Sequence, residues 1–225
     1  PAPRRTRDFG LSKTSGNPDI SPEEGTCVGM DLRLKKSAHE VGGLRAKALA
    51  AASDILAERG VEELNLRAIA DSAGIGISSM YHYFASKEDL LLSLAVVGFD
   101  ELQASILQNR ADPAMPTPLA AGARAFFGLA EAKPALFSLM FDPRLLARHE
   151  ALREAEDKTL TVFQSTVEAD ARFPSDKKAN VAFALWALGR GIASIMSSQP
   201  DGRLPPDLAD RLWPGVTFLV NHPSE

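Results

Sequence analysis

The sequence predicts an all-α protein. From Leu44 onward apolar residues recur at i, i+3, i+4 and i+7, the spacing of one helix face. Glycine and proline fall between these periodic segments and punctuate them. No strand-length alternating run bounded by turns occurs in the 225 residues.

Residues 1–40 differ from the rest. "PAPRRTRDFGLSKTSGNPDISPEEGTCVGM" is rich in Pro, Gly, Ser and Thr and has no apolar period, so it reads as a disordered N-terminal arm. Met30 within it is a candidate start. Residues 41–92 hold closely spaced helices. Leu44, Ala48, Ala51, Ile55 and Leu56 form one stripe, and Gly60 is a natural stop. "NLRAIADSAG" gives Leu66, Ile69, Ala70 and Ala73 on one face, with Asn65 as cap and Gly74 as terminator. "ISSMYHYF" repeats the spacing with Ile77, Met80, Tyr81 and Phe84. Ser86 and Asp89 then form a capping box ahead of Leu90, Leu91 and Leu94, in a helix expected to reach about Asn109.

"ADPAMPTP" ends that helix, because proline cannot occupy a helix interior without cost. Beyond it, residues 93–225 read as a C-terminal helical domain. Helices are expected near 118–132, 134–141, 143–171, 176–198 and 206–221. No internal repeat is evident.

Bulk properties set limits. Hydrophobic residues make up 45% and charged residues 24% of the chain, an ordinary globular balance. A single cysteine, Cys27, excludes an internal disulfide framework and fits a reducing compartment. No apolar run approaches the roughly 20 residues of a membrane span, and no apolar leader is present. A cytoplasmic protein without membrane contact is therefore expected. The net charge of −4 weighs only weakly against nucleic-acid binding, since steering depends on where charge sits.

The chemistry-bearing patterns are few. No histidine pair has the i, i+4 spacing of a helical metal site, so neither metal nor cofactor is expected. No nucleophile elbow is present, so an enzyme is not expected. "GIG" (74–76) follows a helix and lacks a third glycine, so it is not a phosphate loop. "EALREAEDK" reads as a solvated helix face.

Residues 66–84 form two short helices around that glycine turn, a helix-turn-helix. On a helical wheel Ile77, Met80 and Phe84 face inward, and Ser78, Ser79, His82 and Tyr83 lie on or near the opposite face. Tyr81 falls between the two. Small hydroxyls near a helix start suit insertion into a major groove, where base edges are read. Lys87, in the first turn of the next helix, suits a phosphate.

"NLRAIADSAGIGISSMYHYFASKEDLL" resembles the DNA-binding signature of the tetracycline-repressor (TetR) family. The matching residues are Ile69-Ala70, Ala73-Gly74-Ile75, Met80 to Phe84, Ser86-Lys87-Glu88 and Leu90. The resemblance covers about residues 44–92. Gly76 departs from it where serine or threonine is common, and Met80 where leucine is usual. It implies a three-helix DNA-binding head with contacts at Arg67, Ile77, Ser78, Ser79, Tyr81, His82, Tyr83 and Lys87.

The C-terminal part is similar to a sub-group whose domain carries Trp followed by His-Gly. Here Trp186 and Gly191 match, but Arg190 replaces the histidine. The resemblance implies an inducer cavity, for which Phe126, Phe127, Phe137, Met140, Phe141, Phe163 and Trp186 are the candidates; Phe183 belongs to the same aromatic set. It also implies a dimer interface from the last two helices, with Val181, Leu185, Leu188, Gly189, Ile192, Trp213 and Phe218. The expected function is a homodimeric transcriptional regulator, most readily a repressor, that binds palindromic operator DNA and is released by a small apolar effector. The alternative is a helical ligand-binding or scaffold protein with a non-functional head.

Overall fold

A computed structural model describes the backbone of residues 27–221 and the side chains of 43–221. Ten helices occur among the described residues: α1 (Cys27–Arg59), α2 (Leu66–Ala73), α3 (Ile77–Tyr83), α4 (Lys87–Ala111), α5 (Pro118–Ala132), α6 (Pro134–Met140), α7 (Pro143–Arg148), α8 (Glu150–Glu168), α9 (Lys178–Ser197) and α10 (Pro206–Asn221). There is no strand among those residues. Gly42 to Glu225 cluster as one unit, and it is described below. Of the first 41 residues, only the helical backbone from Cys27 is described.

The first correction concerns α1. It begins at Cys27, so residues 27–40 are helical, not part of an arm. That stretch has no apolar stripe, which is why it did not read as helix. The expected arm over 1–26 lies outside the described residues.

Local signals explain the head. Asn65 caps α2, its Oδ1 accepting from the Ala68 amide at 2.8 Å. Gly74 ends α2 with a left-handed φ of 65°. The Ile75 amide donates to the Ala70 carbonyl and the Gly74 amide to that of Asp71, a Schellman closure. Ile75 then turns inward and is buried. At α4 the capping box forms with a shift of one residue. Ser86 Oγ accepts from the Asp89 amide at 3.1 Å, and Asp89 Oδ2 accepts from Ala85, not Ser86, at 3.0 Å.

The segment 143–171 is not one helix. It breaks at His149, whose φ of −117° and ψ of 109° are extended. Arg153 Nη1 donates to the Leu146 and Ala147 carbonyls at 2.6 and 3.3 Å, satisfying the end of α7. No glycine or proline marks this break in the sequence.

In the C-terminal domain α4 packs on α5, α6 and α8, and α9 packs on α5, α6 and α8. Gly98 sets the α4–α6 spacing: a Cβ there would lie 2.6 Å from Met140 Sδ. Helices α4 and α9 are both long and apolar enough to match a membrane span by composition, although neither contains an unbroken apolar run. In α4 that apolarity is used by packing, since Leu90, Leu94, Ala95, Phe99, Leu102 and Ile106 are all buried.

Candidate nucleic-acid interface and regulatory cavity

Helix α3 is fixed from one side. Met80 and Phe84 are fully buried. The Arg45 guanidinium lies 5.5 Å above the Phe84 ring and donates to Ser93 Oγ at 3.0 Å, joining α1, the end of α3 and α4. The other side is open: Ser78 and His82 are exposed and Tyr81 is 62% exposed. Arg67 on α2 is also exposed, and Ser79 is half-buried.

Two placements on α3 differ from the wheel. Ile77 is 36% exposed, not inward, because the helix begins there, at an N-cap glycine that brings no side chain. Tyr83 is the half-buried tyrosine: its ring packs against the core, edge-on to His82 at 5.4 Å and Phe84 at 6.5 Å. The chain leaves helical geometry at Phe84, with φ −134° and ψ 111°, so α3 ends at Tyr83. Tyr81 is thus the tyrosine presented to solvent.

Lys87 is half-buried at the first position of α4, and its Nζ donates to the Glu62 carbonyl at 3.3 Å. The next residue, Glu88, reaches the other way. Its Oε1 lies 2.8 Å from His149 Nε2 and 3.8 Å from Arg148 Nη1. The start of α4 is therefore tied both to the head and to the α7–α8 junction. No local pattern signals this pair, because 61 residues separate its members.

The C-terminal domain holds a small, partly open cavity of about 80 Å³ between α5, α8, α9 and α10. Phe126, Phe127, Phe163 and Trp186 line it, together with Leu119, Ala123, Leu185, Leu188, Gly189, Ile192, Val216 and Val220. Phe137, Met140 and Phe141 do not line it. They form the layer behind its wall, between the cavity and α4. Phe126 meets Trp186 at 5.1 Å and Phe137 at 5.2 Å, and Phe141 meets Phe99 of α4 at 5.1 Å. The Arg190 guanidinium sits 4.5 Å over the Phe141 ring and donates to Glu156 Oε1 at 2.7 Å. That pairing is the role the structure gives Arg190. Phe183 is 62% exposed and turned away from the cavity.

Of the residues expected at a dimer interface on α9, most lie toward the inside of the chain. Ile192 is 3% exposed within the chain and lines the cavity, as do Leu185, Leu188 and Gly189. Val181 is half-buried. The outward face of α9 is instead Phe183, Ala184, Ala187, Gly191 and Ile195. On α10, Trp213 and Phe218 are exposed, with Trp213 edge-on to Phe127 at 5.4 Å. Among the described residues no His, Cys, Asp or Glu cluster could hold a metal ion.

A short cap-and-turn head ahead of a helical domain matches two family models. Residues 48–94 match the one described as bacterial regulatory proteins, tetR family, and residues 119–216 match the tetracyclin repressor-like C-terminal domain. The chain belongs to the tetR family. The TetR-type head and C-terminal domain thus correspond to the two parts described above. Among curated TetR relatives, the HTH-type transcriptional repressor KstR2 of Mycobacterium tuberculosis is 41% identical over 58 residues, which is 26% of this chain and 29% of that protein. The match therefore spans less than a third of the relative's length. A protein of unknown function from Rhodococcus sp. RHA1 superposes with a TM-score of 0.56 at 26% identity, covering 76% of this chain and 94% of that one. The fatty acid degradation regulator FadR of Bacillus halodurans superposes at 0.61 with 18% identity, covering 78% and 94%, which shows a shared fold.

Proposed function

We propose that this chain is a cytoplasmic, homodimeric, ligand-responsive transcriptional repressor that grips operator DNA through α3. The observation that carries this reading is the two-sidedness of α3. Met80 and Phe84 bolt one side to the head while Ser78, Tyr81 and His82 stand exposed on the other. A short helix so held, with small hydroxyls at its start, suits a major groove. Arg67 and Ser79 flank that face, and Ile77 can meet a thymine methyl. Lys87 and Tyr83 serve the phosphates, with Lys87 exchanging its weak carbonyl contact for a charge-assisted one.

Release follows from the aromatic layer. A ligand that displaces Phe126 or Trp186 pushes on Phe137 and Phe141, and Phe141 bears on Phe99 of α4. Helix α4 carries Lys87 at its other end. The ligand shifts the equilibrium only so far as it favours one position of α4 over the other. The outward face of α9 with Phe218 and Leu219 of α10 supplies the surface for a second copy. Small residues there, Ala184, Ala187 and Gly191, permit close helix approach. In a dimer the two α3 helices would read half-sites about one duplex turn apart.

Fluorescence anisotropy with duplex DNA recovered by selection tests the head. Tyr81→Ala and Lys87→Ala should each weaken binding by about 1–2 kcal/mol while the dimer persists. Unchanged affinity in both variants would remove α3 and the α4 start as the DNA-binding surface.

A further inference from the structure

The DNA surface proposed above assigns two cations to each chain, Arg67 and Lys87. Two copies bring four. A protein that makes about 6–10 phosphate contacts shows the steep salt dependence of tight operator binding, so α2, α3 and the first residue of α4 fall short of it.

Helix α7 lies beside the start of α4. The recess between them opens to solvent and is lined by Lys87, Glu88, Asp142, Arg144 and Arg148, with the apolar Leu139 and Leu145 among the lining residues. Leu145 seats α7, being only 9% exposed. Arg144 and Arg148 are four residues apart, so they share one face of the helix, and both are exposed.

Both carboxylates in the recess are already engaged. Asp142 Oδ1 accepts from the Arg144 and Leu145 amides at 2.8 and 2.9 Å, capping α7. Glu88 Oε1 is 2.8 Å from His149 Nε2, against 3.8 Å from Arg148 Nη1. The Arg148 side chain is 71% exposed. Arg144 forms no ion pair among the described residues.

We propose that Arg144 and Arg148 carry the DNA surface from α4 onto α7, as two further contacts to the phosphate backbone beside the one assigned to Lys87. This rests on reading α3 and the α4 start as the DNA surface. Three cations outnumber two carboxylates in the recess, a local positive strip in a chain of net charge −4. A guanidinium can take two phosphate oxygens at once, and it stays charged at any working pH. An open recess suits a strand that passes over it. Such contacts set position and orientation on the duplex and carry no sequence information.

Anisotropy titrations of the full chain across a range of salt test this, on the selected duplex and on an unrelated duplex of equal length. The readout is the slope of log affinity against log salt, about 0.9 for each phosphate contact. In a dimer each substitution removes two contacts. Arg144→Gln and Arg148→Gln should therefore each flatten the slope by about 1.8, and the double variant by about twice that. Affinity should fall by the same factor on both duplexes, and Arg144→Lys should keep the parent slope. Arg148→Gln also frees Glu88, whereas Arg144→Gln breaks no ion pair, so the second variant reports on DNA without that complication. Unchanged slopes in both glutamine variants, with a flatter slope in Lys87→Ala, would overturn the α7 strip alone. Unchanged slopes in all three would overturn the DNA surface on which it rests. A loss confined to the selected duplex would overturn the assignment to phosphates.

Discussion

Gly76 occupies the N-cap of α3 without any side-chain cap hydrogen bond. Its φ of −61° suits any residue, and a Cβ there meets nothing within 4 Å. Gly76→Ser should therefore supply the missing cap and raise stability by a few tenths of a kcal/mol, about 0.5 at most, read as a small rise in Tm. The buried Asp170 makes a second prediction. The Arg172 side chain, hydrogen-bonded to both its oxygens, holds its carboxyl below the usual carboxylate range; further amide hydrogen bonds add to this, and burial opposes it. A group whose folded pKa is depressed contributes stability above its unfolded pKa and loses it as pH falls through the folded value. Unfolding stability should thus decline as pH drops below about 4, and Asp170→Asn should flatten that acid limb. An acid limb unchanged in the variant would mean that other carboxylates govern it.

At the scale of elements, legibility tracked the completeness of the local pattern. Asn65, Gly74 and Ser86 act as their identities predict because caps are local. Met80 and Phe84 are core because they lie four apart in a clean helical period. Tyr83, on the outward side of the wheel, is half-buried because its ring lies back against the core at the last turn of α3, and Tyr81, between the two faces, is exposed. Helix α9 carries apolar residues on all sides, so its period could not say which stripe faces inward. Only tertiary packing decides that Ile192 is inside and Phe183 outside: Gly189 on the inner side lies against the Phe126 ring of α5, and Ile192 lines the cavity. The Glu88–His149 and Arg190–Glu156 pairs were beyond reach, since each depends on tertiary neighbours. The aromatic layer yields the prediction for this scale. Phe141→Ala should leave DNA affinity nearly unchanged while weakening the effector's power to release DNA several-fold, measured by anisotropy with and without ligand. An unaltered effector response would remove Phe141 from the coupling.

For the whole molecule, the proposed dimer would assign folding and assembly to different faces of α9. A charge at Phe183 or Ile195 should dissociate the dimer and leave each chain folded, as judged by sedimentation and circular dichroism. Ile192→Glu should act differently, destabilising the chain itself by about 3–5 kcal/mol through an unpaired buried charge. Dissociation without loss of stability in Ile192→Glu would contradict the assignment of that face. The net charge of −4 remains compatible with DNA binding if positive groups concentrate on the head, and salt dependence reports on that directly.

The most direct test of the central claim is selection of duplex DNA from a random pool by the full chain, followed by salt titration of the recovered sequence. The expected product is an inverted repeat whose half-sites lie about one duplex turn apart. Affinity should fall steeply and linearly in log–log form with salt, and recovery should be lost in the Tyr81→Ala, Lys87→Ala double variant. A recovered pool no different from the starting one, or binding indifferent to salt and to both substitutions, would contradict it.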